Sequence, residues 1–168
     1  MTKISYKNKT SLNIKDNQAF IDLYSIDNSN TPAKKLTFLL DTGAFMTTMQ
    51  KEKAIKRGFK VVEPKSFIIG GFGGGSVLCD LRVIPTLLFC GYKIKDAVIA
   101  TPNADNIAIN EVVGMNILEN FQFGIDFALS ELYANIRGKY VSQKPKYQCG
   151  EVSLMDFEEF LLDYPNVS

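Results

Sequence analysis

The feature that most constrains this chain is the stretch LTFLLDTGAFMTT, residues 36–48. An apolar, strand-like run leads directly into Asp41, and an acid at the end of a buried strand is costly unless it has a role. Gly43 permits a tight turn after it, and the Thr42 hydroxyl can donate or accept a hydrogen bond beside the carboxylate. An Asx-turn is the ordinary interpretation of Asp-x-Gly. Such a turn needs no apolar strand before it, so the whole run is a stronger signal than the tripeptide alone and raises the question of what Asp41 is for.

The composition removes several other kinds of chemistry. The 168 residues include no histidine, so the chain can build neither a Ser-His-Asp triad nor a His-ligated metal site. Cys79, Cys90 and Cys149 match no metal knuckle or disulfide framework, and we interpret them as idle thiols. The net charge of +1 gives no electrostatic reason to expect nucleic acid or a membrane surface as partner. We expect no metal or cofactor, which leaves carboxylates, Lys, Tyr, Ser and Thr for catalysis.

The pattern of apolar residues predicts a mostly β protein. Short apolar runs alternate with turn signals over the first two thirds of the chain. The pattern predicts strands at 19–27 and 35–41, two strands around a glycine tip in 66–85, two around Gly91 in 87–100, and a closing pair in 123–136. It also predicts a short helix within 49–60 with Gly58 at its C-cap and, within 111–121, a strand that bends at Gly114 into one or two helical turns.

The two ends of the chain differ from this middle part. The N-terminal 18 residues are polar and no apolar run reaches the roughly 20 residues that span a bilayer, so we expect a cytoplasmic protein. Residues 138–150 are predicted to be a polar linker, and 153–164 an amphipathic helix with Ser153 as its N-cap. We therefore divide the chain into a domain at 1–137 and an extension at 138–168. Docking of the helix on its own domain is the interpretation we favour, and partner binding is the alternative.

A second unusual stretch is IIGGFGGGSV, residues 68–77. A phosphate-binding loop is excluded because no Lys-Ser/Thr follows the glycines, and Ser76 breaks the GxGxxG spacing. A flexible linker is the ordinary alternative. The apolar strands on both sides instead favour a mobile hairpin that can close over an extended ligand.

These stretches and the corner VVGMNIL (112–118), taken in order, resemble the retropepsin-like aspartic proteases, the family of the retroviral proteases. The resemblance covers about residues 18–136. It implies a mostly β, closed barrel-like acid protease fold with one or two short helices, before the C-terminal helical extension. It also implies an aspartic endopeptidase that activates a water between two carboxylates. Because Asp-Thr-Gly occurs once, the second carboxylate would be Asp41 of a second copy, in a homodimer that binds a peptide or protein substrate.

The resemblance also assigns individual residues. Asp41, Thr42 and Gly43 would be catalytic, with Thr42 bonding across the dimer. The substrate-binding residues would be Ala44, Phe45 and Met46 after the motif, and Ile69, Gly70, Gly71, Phe72, Gly73 and Gly74 in the glycine hairpin, or flap. The peptide would bind as an added strand. The alternative is a non-catalytic peptide-binding or dimerisation module on the same fold.

Four positions depart from related proteins, three of them from the retroviral proteases and one from the pepsin-like enzymes. Phe45 and Met46 stand where retroviral enzymes have two acids, and Met115 stands where they have an Arg that pairs with the first acid. We therefore expect apolar packing in place of an ion pair, and more apolar pockets near Phe45 and Met46. Ala44 lacks the hydroxyl that many pepsin-like relatives place beside the carboxylate, where it favours the charged form. We accordingly expect a less acidic pH optimum than that of pepsin.

Overall fold

A computed structural model describes residues 6, 8–27, 32–70 and 75–136 and the backbone of 152–154. Within this part the chain forms eleven strands and two short helices. The strands are β1 (Asn8–Ser11), β2 (Asn13–Lys15), β3 (Gln18–Ile26), β4 (Lys34–Leu40), β5 (Lys60–Gly70), β6 (Ser76–Phe89), β7 (Tyr92–Pro102), β8 (Val112–Val113), β9 (Phe121–Asp126), β10 (Glu131–Ile136) and β11 (Val152–Leu154). The helices are α1 (Lys51–Lys56) and α2 (Met115–Leu118).

The strands form two sheets, which confirms the prediction of a mostly β protein. The larger has the order β11-β7-β6-β3-β4-β8, with β2 attached to β3 and β5 attached to β6. The smaller has the order β1-β10-β9. Neither sheet closes on itself within the described residues, so the expected closed barrel is not confirmed. Most neighbouring strands are antiparallel, while β4 and β8 are parallel.

The turn at Gly91, the helix within 49–60 and the corner at Gly114 lie where the sequence predicts them. Cys90 and Gly91 join β6 to β7 with φ angles of 48° and 77°, the left-handed conformation that a two-residue hairpin requires. Helix α1 is followed by Gly58, whose φ of 78° ends the helix. The corner at Gly114 joins β8 to α2 as predicted.

The main core fills the space between the two sheets. The Phe121 ring of β9 lies 4.8 Å from that of Phe89 and 5.2 Å from that of Tyr92, measured between centroids. The Tyr92 hydroxyl is buried and donates a hydrogen bond to the Ala134 carbonyl at 3.1 Å. These contacts between β6, β7, β9 and β10 hold the smaller sheet against the larger one.

Three strands were not predicted from the sequence. Two of them, β1 and β2, lie in the polar N-terminal stretch. The third, β11, places Ser153 opposite Lys93 on the outer edge of β7, so Ser153 is in a strand and is not the N-cap of a helix. Without β11, the edge of β7 that faces away from β6 would leave its backbone groups unpaired. Pairing with this edge favours a strand at 152–154, and the local helix signals carry no information about it. The rest of the predicted helix and the linker 138–150 lie outside the described residues. No helix in the described part is long and apolar enough to cross a membrane.

Candidate active site

Asp41 lies immediately after β4, at the point where this strand runs beside β8. Leu39 and Leu40 pair with Val112 and Val113, and the Asp41 amide donates a hydrogen bond to the Val113 carbonyl at 3.2 Å. The parallel pairing therefore continues to the acid itself. This fixes the backbone of Asp41 and leaves its side chain half-buried at the end of the strand.

The tripeptide Asp41-Thr42-Gly43 forms a turn that orients the carboxylate. The Gly43 amide donates to Asp41 Oδ1 at 2.9 Å, and the Ala44 amide donates to the Asp41 carbonyl at 3.2 Å. The Asx-turn, which was the ordinary interpretation of this motif, is thus present. It holds one carboxylate oxygen in place, while Thr42 and Gly43 are exposed beside it.

Two buried polar residues that the sequence had not singled out as site residues bind the loop to the Gly114 corner. The Thr47 amide and hydroxyl both donate to Asn116 Oδ1 at 2.8 Å. The same Thr47 hydroxyl accepts a hydrogen bond from the Gly114 amide at 3.1 Å, and Asn116 Nδ2 donates to the Val98 carbonyl at 2.7 Å. The sequence does contain both residues, Thr47 six positions after Asp41 and Asn116 in the Gly114 corner. Their presence was the only signal that could have indicated this contact.

Backbone contacts complete the attachment of this loop. The Met115 amide donates to the Ala44 carbonyl at 2.8 Å, and the Asn116 amide donates to the Phe45 carbonyl at 3.1 Å. A Cβ atom on Gly114 would lie 2.6 Å from the carbonyl carbon of Met46 and 2.7 Å from its oxygen. Glycine is therefore required at 114 because two backbone segments touch there, although its φ of −107° is open to any residue.

The structure separates Phe45 from Met46. Met46 is 2% exposed and packs in a cluster under the flap, so its side chain lies inside the protein. Phe45 is 45% exposed and stacks on Phe67 of β5, with 6.2 Å between ring centroids and 15° between ring planes. Apolar contacts therefore occupy the two positions where acids stand in the retroviral pattern. The members of the cluster under the flap are Met46, Cys79, Leu81, Val98 and Ala100, with Phe67, Ile69, Val77 and Val83 packed against them.

The predicted flap is the hairpin of β5 and β6. Its pairing runs to Ile69 opposite Val77 and Gly70 opposite Ser76. The tip residues Gly71, Phe72, Gly73 and Gly74 lie outside the described residues. Ile69 and Gly70 thus bring the strand up to the predicted tip, and the hairpin lies over the cluster that contains Met46.

A buried carboxylate holds the base of this hairpin. Asp80 is 5% exposed, and its Oδ1 accepts hydrogen bonds from the Lys65 amide at 2.8 Å and from Asn103 Nδ2 at 3.0 Å. Lys65 has a φ of 46° and lies where the β5–β6 register shifts, between Glu63 and Phe67. Asp80 therefore supports an irregular section of β5 and is committed to a structural role.

The cysteines of the described part do not supply a nucleophile. Burial, with a smaller contribution from the Asp80 charge, raises the pKa of the Cys79 thiol to about 11. Burial also raises the pKa of the Cys90 thiol to about 12. Both thiols are protonated near neutral pH, in agreement with their interpretation as idle. The described residues contain no group of three or more Cys, Asp or Glu side chains that could hold a metal ion.

Comparison with known proteins identifies solved structures of similar fold. No family model and no curated protein matches the sequence. Among solved structures, the chain is similar to a retropepsin-like aspartic protease from Rickettsia conorii, with 22% identity, 81% of this chain and 98% of that chain covered, and a TM-score of 0.52. It is also similar to EIAV protease complexed with an inhibitor, with 21% identity, 62% and 88% covered, and a TM-score of 0.46. The likeness to the Rickettsia structure shows that the chain has a retropepsin-like fold, and at 22% identity it concerns the fold alone.

Proposed function

We propose that this chain is an aspartic endopeptidase that works as a homodimer, with Asp41 of each copy in one shared active site. The observation that supports this most directly is the fixed, half-buried Asp41 carboxylate, oriented by the Gly43 amide at 2.9 Å. Catalysis by positioned groups requires side chains held within a fraction of an ångström. The buried hydrogen bonds from Thr47 to Asn116 provide that support.

The need for a second copy follows from the chemistry. Two carboxylates about 3 Å apart cannot both ionise, so one acts as a base while the other remains protonated. The sequence has a single Asp-Thr-Gly, and a two-fold axis beside it would supply the second acid. The exposure of Thr42 and Gly43 next to Asp41 suits such an arrangement, because a partner can reach them.

In the proposed reaction a water lies between the two carboxylates. The ionised carboxylate takes a proton from the water, whose oxygen bonds to the carbonyl carbon of the scissile peptide. The protonated carboxylate donates its proton to the carbonyl oxygen. When the C–N bond breaks, the carboxyl group that received the water's proton donates it to the leaving nitrogen. A hydroxyl group of the tetrahedral intermediate returns its proton to the other carboxylate as the new carbonyl forms, so the pair again shares one proton.

The substrate would be an extended peptide between the Asp41 loop and the flap. Ala44 and Phe45 would line the floor, and Ile69 together with the glycines at 70, 71, 73 and 74 would offer backbone groups from above, with Phe72 at the tip. The exposed Phe45 ring, stacked on Phe67, favours an apolar substrate side chain. Met46 is buried and would shape this pocket by supporting its neighbours from beneath.

The first experiment compares the native protein with its Asp41→Asn variant. An unbiased peptide library is incubated with each, with and without pepstatin, from mildly acidic to neutral pH. We expect cleavage by the native chain, inhibition by pepstatin, and no cleavage by the variant. If the native chain cleaves nothing but still retains peptides, it is a binding module on the same fold.

A mixing experiment tests the shared site. Native and Asp41→Asn chains are unfolded together in equal amounts and refolded so that dimers form at random. If the site needs both Asp41 residues, the mixture should have about a quarter of the activity of the same total amount of native protein, because only dimers of two native chains are active. A residual activity of about half would instead show that each chain carries a complete site.

A further inference from the structure

A basic cavity lies at the start of β4, at the opposite end of that strand from Asp41. Its volume is about 620 Å³, within the range of small-ligand and peptide pockets. Asp41 lies seven positions after Lys34, which corresponds to about 23 Å of strand, so this cavity is distinct from the candidate active site. Five cationic residues and two apolar ones line it: Lys34, Lys35, Lys53, Lys56, Arg57, Pro32 and Ala33.

The charges in this cavity are only partly neutralised. Lys34 pairs with Asp27 at 3.0 Å and Lys53 with Glu111 at 2.9 Å. The other three cations, Lys35, Lys56 and Arg57, have no carboxylate partner among the described residues. The cavity therefore retains an excess of positive charge.

Arg57 forms part of the cavity wall and is anchored to the fold. Its Nη2 donates to the Lys35 carbonyl at 2.9 Å, between the end of α1 and the edge of β4. Its Nη1 is buried and has no hydrogen-bond acceptor in the described part of the chain. A buried donor on a charged group is costly when unpaired. Because Nη1 is closed to solvent, an anion in the cavity would respond to the excess positive charge of the lining and not to this nitrogen.

We propose that the cavity binds the acidic C-terminal segment of this same chain, residues 155–168. The segment MDFEEFLLDYPNVS has four acidic residues and no basic one. Its carboxylates complement Lys35, Lys56 and Arg57. Its aromatic and aliphatic residues, which alternate with the acids, suit a floor of Pro32, Ala33 and the methylene stems of lysines.

The position of β11 brings this segment within reach. One row of paired residues crosses the large sheet from the last strand to the cavity: Val152, Ile94, Leu87, Ser25 and Lys34. Four strand spacings correspond to about 19 Å. The 14 residues after Leu154 span up to about 46 Å when extended, so the segment can cross the sheet and reach the cavity of its own chain.

Zero-length carbodiimide cross-linking of the full chain tests this proposal, since it joins only lysines and carboxylates that are in ion-pair contact. We expect peptide mass spectrometry to find links from Lys35 or Lys56 to Asp156, Glu158, Glu159 or Asp163, in monomeric product. The links from Lys34 to Asp27 and from Lys53 to Glu111 are internal controls, because these pairs are in contact in the structure. Control links without any tail link would overturn the proposal, as would tail links found only in covalently joined dimers.

A pair of charge-reversal variants gives a second readout in the same full-length protein. Lys35→Glu with Lys56→Glu should release the segment and speed chymotrypsin cleavage at Phe157 or Phe160 about tenfold. Lys15→Glu with Lys60→Glu makes the same charge change on exposed residues outside the cavity and should leave the cleavage rate unchanged. Urea unfolding midpoints establish that both variants are folded.

Inorganic phosphate separates this occupant from a free anion. Under the proposal, phosphate competes and lowers the tail cross-links of the native chain. If phosphate protects Lys35 and Lys56 from acylation while the cleavage rates of the two charge-reversal variants are equal, the cavity serves a free anion and the proposal fails.

Discussion

The loop that carries Asp41 and the flap hairpin face the same proposed cleft, yet they are held in different ways. The loop is fixed by buried hydrogen bonds from Thr47 to Asn116 and Gly114. The base of the hairpin is held by Asp80 and by the pairing of β6 with β7 from Cys79 onward. Towards its tip the hairpin is held by pairing between β5 and β6 and by packing on one face. Its other face exposes Ile68 at 65% and Leu78 at 42%.

The two kinds of support suit two different tasks in the proposed function: one region must stay fixed and the other must be able to move. A fully satisfied buried polar network has one arrangement and resists distortion, which suits the proposed role of Asp41 as a catalytic acid. Beyond Cys79, towards the tip, the hairpin is a two-stranded ribbon with one solvated face and has few contacts to lose when it moves, which suits the proposed entry of a substrate. Substitutions in the loop should therefore cost far more stability than matched substitutions in the hairpin.

The largest contrast is expected between two glycines. Gly114→Ala places a methyl group 2.6 Å from a backbone carbon of the loop and should lower the free energy of unfolding by about 3 kcal/mol. Gly70→Ala in the flap has no atom within 4 Å of the added Cβ and should change that free energy by less than about 0.5 kcal/mol. Urea unfolding of both variants measures the difference. Equal losses would show that the loop adapts as readily as the flap.

The second contrast uses two threonines. Thr47→Val keeps the shape of the side chain but removes a buried hydroxyl that donates to Asn116 and accepts from Gly114, and should cost about 2 kcal/mol. Thr37→Val removes an exposed hydroxyl bound to Asp22 and should cost less than about 0.5 kcal/mol. A stable Thr47→Val protein would contradict the role of this network in holding the loop.

A third, smaller effect is expected where the two regions touch. The stacked rings of Phe45 and Phe67 link the loop to the flap, with 6.2 Å between centroids. A double-mutant cycle with Phe45→Ala and Phe67→Ala should give a coupling free energy of about 1 kcal/mol in urea unfolding. Additive effects would show that loop and flap are energetically independent at this contact.

The smallest effect is expected on the outer face of the flap. Ile68→Ser and Leu78→Ser replace an exposed cross-strand pair and should each change the free energy of unfolding by less than about 0.5 kcal/mol. Dilution of the protein during this measurement adds a further control. A larger loss that appears only at high protein concentration would show that this face is covered by another copy.

Local signals accounted for most of the strands but not for the supports of the site. The Gly91 hairpin, the end of α1 near Gly58 and the bend at Gly114 each depend on residues close in sequence, and all three were predicted. Thr47 and Asn116 are 69 positions apart, and no periodicity or turn signal reports a contact at that range. Ser153 likewise had good N-cap chemistry, but a free strand edge on β7 decided its conformation.

The cavity at β4 shows the same limit. In the sequence, the lysines of α1 are typical of the solvent-exposed face of a helix. Lys34 and Lys35 are typical of the polar start of a strand. Only the position of Arg57 against the β4 edge brings these cations around one cavity.

The sequence alone determined that this protein is mostly β and that Asp41 is a single acid at a strand end followed by a tight turn, because apolar alternation and turn residues act locally. Only the tertiary structure decided how that acid is held, that Phe45 is exposed while Met46 is buried, and where strand β11 attaches. Those outcomes depend on contacts between distant segments, whose free energies exceed the local preferences of the residues involved.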